Sequence, residues 1–172
     1  MCGLTGFLST AWSDKGKATR LLIAMGERIR TRGPDSADTW QDETAGIGFS
    51  HRRLAVVDLS PAGAQPMHSA SDRYVIAYNG EIYNHLDIRS VLDAANLAPV
   101  WRGHSDTETL LAAIDAWGVE TALNKTIGMF AFALWDTQTR TLTLARDRLG
   151  EKPMYYGWQG AGQERVFLFG SE

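Results

Sequence analysis

Cys2 is the one cysteine of the chain, and it directly follows the initiator methionine. A free thiol has a pKa of about 8.5 and is only a few per cent thiolate at neutral pH, so a cysteine nucleophile needs a base. Removal of Met1 would give Cys2 a free α-amino group, which titrates at roughly 7.7 to 8.0 and can accept the thiol proton. The position of Cys2 is therefore compatible with an N-terminal nucleophile, and companion residues are needed to favour one. The alternative is a small buried apolar residue with no chemical role.

An amide, a glycine and a carboxylate follow one another at Asn79, Gly80 and Glu81, at the predicted end of an apolar strand. The side-chain amide of Asn79 and the backbone N–H of Gly80 can converge on one developing oxyanion. Losing a donor of this kind typically lowers the rate about 100- to 1,000-fold. Asn-Gly is also a common hairpin turn, and the dipeptide alone leaves that alternative open.

Three charged residues could hold a substrate. Arg52 and Arg53 interrupt the apolar pattern of a strand-like segment, so we expect one of them to face inward or into a cleft. An arginine fork suits bidentate capture of a carboxylate, although a solvated pair on an edge strand explains these residues equally well. Asp106 lies in the first turn of a predicted helix, where a carboxylate either favours the helix dipole or binds an ammonium group.

The elements that must position these residues are mostly short strands. Strands are predicted over residues 3–9, 47–58, 74–79, 128–136, 141–146, 154–158 and 166–169. The spacing of apolar residues predicts helices over 17–30 and 86–95, and a third helix that starts at a capping box formed by Ser105 and Glu108. Hairpin-like connections indicate antiparallel pairing. The sequence therefore predicts an α+β fold in one domain, residues 1–172.

Composition limits the function classes. The 172 residues are 44% apolar, with 17 basic and 20 acidic side chains and a net charge of -3. This balance is typical of a soluble globular domain and gives no electrostatic footprint for nucleic acid or a membrane surface. The four histidines lack the spacing of metal ligands, and no phosphate-binding loop occurs, so we expect neither a metal nor a nucleotide in this domain. The single cysteine and the absence of a signal peptide favour a cytoplasmic location.

Eight motifs along the chain resemble those of one family. In order they are Met-Cys-Gly at 1–3, Arg-Gly-Pro-Asp at 32–35, His-Arg-Arg-Leu-Ala-Val-Val-Asp at 51–58, Gly-Ala-Gln-Pro-Met at 63–67, Asn-Gly-Glu-Ile-Tyr-Asn at 79–84, Ser-Asp-Thr-Glu at 105–108, Gly-Met-Phe-Ala-Phe-Ala-Leu at 128–134 and Arg-Asp-Arg-Leu-Gly-Glu-Lys-Pro-Met-Tyr-Tyr at 146–156. The chain resembles the glutaminase domain of asparagine synthetases, a class II glutamine amidotransferase with the N-terminal nucleophile hydrolase fold. The resemblance implies a four-layer αββα sandwich of two antiparallel sheets.

The resemblance also implies a role for each candidate residue. The implied catalytic residues are Cys2, the nucleophile with its own α-amine as base, and Asn79 and Gly80, the oxyanion hole. Among the implied substrate-binding residues, Arg53 would hold the α-carboxylate of L-glutamine, and Glu81 and Asp106 would hold its α-amino group. The backbone of Val56 and Val57 would line the pocket. Thiolate attack on the side-chain amide would expel ammonia and leave a γ-glutamyl thioester, which water hydrolyses to glutamate.

The implied partner of this domain is a C-terminal synthetase domain that receives the ammonia. ATP and magnesium are expected only in that absent domain, the most favoured product is asparagine made from aspartate, and a homodimer is compatible with the resemblance. Relatives in polysaccharide and secondary-metabolite pathways amidate other acceptors. Two further hypotheses remain: a catalytically silent glutamine-binding domain, and a Cys-His hydrolase with His51 or His104 as base.

Overall fold

The computed structural model describes residues 2–9 and 15–172. Within these ranges the chain forms nine strands, which are Gly3–Leu8 (β1), Ser36–Asp42 (β2), Ile47–Arg53 (β3), Met67–His68 (β4), Tyr74–Ile82 (β5), Gly128–Asp136 (β6), Thr141–Arg146 (β7), Tyr155–Gln159 (β8) and Val166–Gly170 (β9). It also forms four α-helices, which are Lys15–Arg28 (α1), His85–Ala94 (α2), Asp106–Trp117 (α3) and Val119–Lys125 (α4). No helix in these ranges is long and apolar enough to cross a membrane.

The strands form two sheets in which every neighbouring pair is antiparallel. The first sheet has the order β2-β3-β1-β9-β8, and the second has the order β4-β5-β6-β7. Tight hairpins join β6 to β7 and β8 to β9, as the sequence predicts. The two sheets pack face to face, because the apolar side chains Leu4 and Phe49 of the first sheet contact Val75 and Trp135 of the second.

Helices cover the outer face of each sheet. Leu22 of α1 packs against Phe7 on the outer face of the first sheet. On the other side, the helices α2, α3 and α4 bury the outer face of β5 and β6, where Phe132 contacts the apolar side of α3. Since β6 is buried on both faces, its sequence is a continuous apolar run instead of an alternating one. The predicted αββα sandwich is therefore confirmed.

Two predicted strand boundaries near the candidate residues are wrong. The strand predicted over 47–58 ends at Arg53, because Val56 and Val57 leave the ladder and are exposed. The strand predicted over 74–79 continues to Ile82, with Asn79 and Gly80 paired to β6. The Asn-Gly dipeptide is thus in the interior of a strand, and neither the predicted strand end nor a hairpin turn is present there.

The predicted capping box at the start of α3 forms only in part. The Oγ atom of Ser105 accepts the backbone N–H of Glu108 at 3.2 Å, as the motif requires. The Glu108 carboxylate instead accepts the backbone N–H groups of Arg102 at 2.8 Å and Gly103 at 3.1 Å. This buried carboxylate therefore fixes the segment that leads into α3.

His51 ties the two sheets together through one hydrogen bond. Its Nε2 lies 2.9 Å from the carbonyl oxygen of Tyr78, so the ring donates from β3 in one sheet to β5 in the other. The other ring nitrogen is buried and has no partner among the described residues. Burial lowers the pKa of His51 to about 4, with Arg53 acting in the same direction and the hydrogen bond to Tyr78 opposing it.

We expect the titration of His51 to lower the free energy of unfolding as the pH falls, at pH values above those at which most carboxylates titrate. Between pH 6.5 and about 4 the unfolded chain binds a proton that the folded chain does not, so acidification from pH 7 to 5 should lower the free energy of unfolding by about 2 kcal/mol. Urea unfolding of the wild type and His51→Gln across this range measures the effect, because glutamine can still donate to the carbonyl but does not titrate. Equal pH slopes in the two proteins would contradict the assignment to His51.

Candidate active site

One cavity of about 260 Å³ opens beside the start of β1. This volume is just below the range of roughly 300 to 1,000 Å³ that is typical of pockets for drug-sized ligands, and it suits a small metabolite. The eight site residues that the resemblance implies all lie on the wall of this cavity, namely Cys2, Arg53, Val56, Val57, Asn79, Gly80, Glu81 and Asp106. They come from four separate parts of the chain, which the sheet topology places together.

The Cys2 side chain is half-buried at the entry to β1. The backbone N–H of Leu54 donates to its Sγ at 3.3 Å, and the thiol in turn lies 3.5 Å from the carbonyl oxygen of Leu54. Arg32 Nε donates to the Cys2 carbonyl oxygen at 3.3 Å and fixes the backbone. Burial raises the pKa of the Cys2 thiol, against the opposing effect of the Leu54 N–H. The thiol therefore needs a base. The α-amine of Cys2 would be free only after the removal of Met1, which lies outside the described ranges.

One edge of β5 is left without a partner strand along the cavity. The two-residue strand β4 pairs only with Val75 and Ile76, so the edge is uncovered from residue 77 onward. Side chains replace the missing strand at two points: Gln65 Oε1 accepts the N–H of Tyr78 at 2.6 Å, and Asp106 Oδ2 accepts the N–H of Ile82 at 2.9 Å. The polar groups of this edge are thus held by side chains from distant segments.

The N–H of Gly80 lies between those two and faces the same side, since N–H directions alternate along a strand. The residue opposite it, Phe130, uses both of its backbone groups elsewhere: its N–H donates to Asp147 Oδ2 at 3.2 Å, and its carbonyl accepts the Asp147 N–H at 2.7 Å. A side chain at position 80 would overlap the Met129 carbonyl oxygen. Glycine is therefore required by the close approach of β6, and its N–H is directed at the cavity.

The side chain of Asn79, the residue before Gly80 on β5, also reaches this cavity. Its Nδ2 atom is buried and has no hydrogen-bond partner among the described residues. A buried donor left unsatisfied is unfavourable by about 1 to 3 kcal/mol, so its presence beside a cavity points to a ligand that supplies the acceptor. Asn79 and Gly80 thus provide two donors at one end of the pocket.

The neighbouring arginines of β3 face opposite ways. Arg52 lies on the outer face, where Nε donates to the carbonyl oxygen of Gly26 at 3.1 Å and Nη2 pairs with Glu27. Arg53 lies on the cavity face, and its Nη2 donates to the carbonyl oxygens of Asp58 and Ser60. Arg53 is therefore the member of the pair that faces a cleft, as we expect for one of the two arginines.

Asp106 is a buried carboxylate at the first position of α3. Its Oδ2 accepts the Tyr78 hydroxyl at 2.8 Å in addition to the N–H of Ile82, and its Oδ1 accepts the N–H of Thr107 at 3.0 Å. Burial, together with the adjacent carboxylate, raises the pKa of the Tyr78 hydroxyl well above its ordinary value. Glu81 is half-buried on the wall of the same cavity, which is thus lined by two carboxylates and by Arg53.

Other chemistries find less support around this cavity. His51 and His104 are not among the residues that line it. Within the described parts of the chain, no group of three His, Cys, Asp or Glu side chains is arranged to hold a metal ion. The described contacts of the Cys2 thiol are with the backbone N–H and carbonyl of Leu54.

Comparison with known proteins decides the family. A family described as glutamine amidotransferase domain matches residues 1–172. The chain belongs to this family. Asparagine synthetase 3 (glutamine-hydrolyzing) of Bacillus subtilis is 40% identical over 183 residues, which cover all of this chain and 26% of that protein. Amidase chry2 of Gibberella zeae is 32% identical over 166 residues, which cover 91% of this chain and 24% of that protein.

A solved structure supports the fold of this amidotransferase domain. Glutamine phosphoribosylpyrophosphate amidotransferase from Bacillus subtilis, complexed with ADP and GMP, superposes with a TM-score of 0.75 at 19% identity. The match covers 99% of this chain and 42% of that one. The chain spans about a quarter of the length of the curated relatives that it matches. Family membership supports an enzyme role for this chain.

Sequence reasoning gave no role to several residues of the amidotransferase domain's cavity, among them Leu54, Asp58, Gln65 and Lys152. All four occur in the motifs that carry the resemblance, yet nothing in their local sequence indicates a cavity. Asp58 and Gln65 bond to residues 46 and 13 positions away, and those contacts exist only in the folded chain. The signal that could have found them was a polar residue in an otherwise apolar motif.

Proposed function

We propose that this domain hydrolyses L-glutamine to glutamate and ammonia, with Cys2 as the nucleophile. The observation that carries the proposal is the pair of donors, Asn79 Nδ2 without a partner and the N–H of Gly80, on the same cavity as the Cys2 thiol. Two donors beside a nucleophile are what the tetrahedral intermediate of acyl transfer requires.

The charges of the cavity match the two ends of an amino-acid zwitterion. Arg53 retains donors beyond the Nη2 atom that bonds to the loop, and we assign it the α-carboxylate of glutamine. Asp106, fixed by Tyr78 and Ile82, would receive the α-ammonium together with Glu81. The backbone at Val56 and Val57 would line the pocket between them. The side-chain amide of the substrate then extends toward Cys2.

The proposed reaction has two stages. With Met1 removed, the Cys2 α-amine takes the thiol proton, and the thiolate forms a bond to the amide carbon while the carbonyl oxygen gains negative charge at Asn79 and Gly80. Collapse of this intermediate breaks the C–N bond, and the amine proton leaves with the nitrogen as ammonia. Water then attacks the γ-glutamyl thioester in the same way, releases glutamate and restores the thiol.

We further propose that residues 1–172 are the ammonia-producing part of a longer protein. The rest of that protein would be a C-terminal synthetase domain that binds ATP and magnesium and makes asparagine from aspartate. The name of the Bacillus subtilis relative, asparagine synthetase (glutamine-hydrolyzing), supports asparagine as the product. The similarity to Amidase chry2 favours a second candidate, in which the same ammonia is transferred to another acceptor. In both cases the cavity would bind glutamine alone, and the acceptor would be determined outside this domain.

Two competing hypotheses fit the cavity less well. A silent glutamine-binding domain has no need of a buried unpaired amide beside a thiol, which is unfavourable unless it is used. A Cys-His hydrolase needs an imidazole within hydrogen-bond reach of the thiol, and His51 is instead bonded to the Tyr78 carbonyl while His104 is exposed.

We predict that Cys2→Ala abolishes glutamate release and leaves glutamine binding within about threefold, because the thiol reacts but contributes little to holding the zwitterion. The measurement is glutamate release by the 172-residue chain, on samples whose mass confirms the loss of Met1, with binding followed by calorimetry. A His51→Gln/His104→Gln variant is the control and should retain turnover. Turnover in Cys2→Ala, or its loss in the histidine variant, would contradict the mechanism.

We predict that Asn79→Ala lowers kcat about 100- to 1,000-fold and changes KM much less, because the amide acts on charge that develops only in the transition state. Asn124→Ala is the matched control, since Asn124 is exposed on α4. Steady-state kinetics of both variants give the comparison. An effect on KM alone would assign Asn79 to substrate binding and remove it from the oxyanion hole.

We predict that Arg53→Lys raises the KM for glutamine about tenfold or more, because lysine cannot form two parallel hydrogen bonds to a carboxylate. Arg52→Lys is the internal control, since the adjacent side chain faces α1 and not the cavity. Kinetics on both variants separate the two arginines. Equal KM values for the two would exclude Arg53 as the carboxylate clamp.

A further inference from the structure

Asp58 is a buried carboxylate in a loop whose neighbouring apolar residues are exposed. It belongs to residues 54–63, here called the 54–63 loop, which follow β3; Val56 and Leu59 of this loop are 70% and 77% exposed, whereas Asp58 is 8% exposed. A carboxylate is rarely buried without partners, and this one has two backbone donors. Its Oδ1 accepts the N–H of Ser60 at 2.8 Å, and its Oδ2 accepts the N–H of His104 at 2.8 Å.

These two hydrogen bonds connect the loop that follows Arg53 to the segment that precedes Asp106, and these two residues bring opposite charges to the cavity. The first closes the 54–63 loop, whose carbonyl oxygens at Asp58 and Ser60 accept from Arg53 and so fix its guanidinium. The second holds His104, two residues before Asp106 at the start of α3. The Asp58 carboxylate therefore links the loop that holds Arg53 to the segment that leads into Asp106.

The contact is tightly packed on both sides. A Cβ atom at Gly103 would lie 2.5 Å from Asp58 Oδ2 and 2.8 Å from the Cβ of Ala62, so the two segments meet without space between them. A Cβ at Gly63 would overlap the Nη2 atom of Arg53. Hydrogen bonds from Ser60 and from the His104 N–H lower the pKa of Asp58 to about 2, so the carboxylate is ionised at neutral pH and accepts strongly from both donors.

We propose that Asp58 is a positioning residue that sets the separation between Arg53 and Asp106, so that the cavity is matched to a substrate carrying an α-carboxylate and an α-ammonium group on one carbon. The inference rests on the proposed function. Asp58 acts through Arg53 and the start of α3, and it need not touch the substrate. Its loss therefore affects the capture of glutamine and leaves the reaction at the thiol intact.

Asp58→Asn tests the proposal with little change of shape. An amide offers one acceptor oxygen where the carboxylate offers two, so one of the two backbone donors loses its partner. We expect KM for glutamine to rise about tenfold or more while kcat stays within about threefold, because a charge-assisted bond that orients the substrate-binding groups is lost. Asp72→Asn is the matched control, since the Asp72 side chain is 88% exposed, and it should match the wild type.

Two alkylating reagents separate positioning from general damage to the site. Because Cys2 is the only thiol, mass spectrometry reports its modification directly. The diazoketone analogue of glutamine, 6-diazo-5-oxo-L-norleucine, needs both charged groups of the cavity, whereas iodoacetamide needs only an accessible thiol. In Asp58→Asn we expect labelling by subsaturating diazoketone to slow about tenfold or more and labelling by iodoacetamide to stay within about twofold. Equal slowing of both reagents would contradict a positioning role.

Gly103→Ala disturbs the same contact from the other side and keeps Asp58 itself, which covers the case in which Asp58→Asn does not fold. It should raise KM and slow the diazoketone selectively in the same manner. Unchanged KM in both folded variants would overturn the inference while leaving the proposed function in place. Absence of glutamate release from the processed wild-type chain would overturn the proposed function, and with it this inference.

Discussion

The site depends on a strand edge that no neighbouring strand covers. Because β4 ends after two residues, the N–H groups of β5 that face this edge beyond Ile76 must find partners elsewhere, and a buried N–H without a partner is unfavourable by about 1 to 3 kcal/mol. Gln65 and Asp106 satisfy two of these groups and are held in place by doing so. The N–H of Gly80 lies between them, so the same shortage of strand partners fixes the Asp106 carboxylate on the cavity wall and directs a donor at the cavity.

The packing of the two sheets sets the distances within the cavity. Cys2 enters the first sheet through β1, whereas Asn79 and Gly80 belong to the second, so the spacing of the sheets determines how the thiol meets its donors. The His51 hydrogen bond to Tyr78 crosses this gap: His51 pairs with Leu4 of β1, and Tyr78 directly precedes Asn79. A buried neutral imidazole thus has a structural role beside a site where a histidine base was a reasonable expectation.

Local pattern predicted the regular elements more accurately than the contacts of the site. The observed bounds of β6 and β7 match the predicted ones, because both strands combine β-forming residues with clear turns. The sequence analysis does not predict β2, which is a polar edge strand, or α4, which has only seven residues. Asn79 and Gly80 were placed at a strand end because Asn-Gly favours turns, and strand pairing with β6 overrides that preference. Asp58 and Gln65 could not be assigned roles, as their partners are brought near only by folding.

The opposite directions of Arg52 and Arg53 link charge placement to the alignment of β3 within its sheet. Side chains alternate between the two faces of a strand, so a shift of β3 by a single residue would exchange the destinations of these guanidinium groups. The shifted chain would direct one positive charge at the sandwich core and remove the other from its carbonyl partners. Misaligned folding intermediates would thus carry an uncompensated buried cation, and the arginine pair, of which only Arg53 lines the cavity, also helps the chain to reject the wrong alignment.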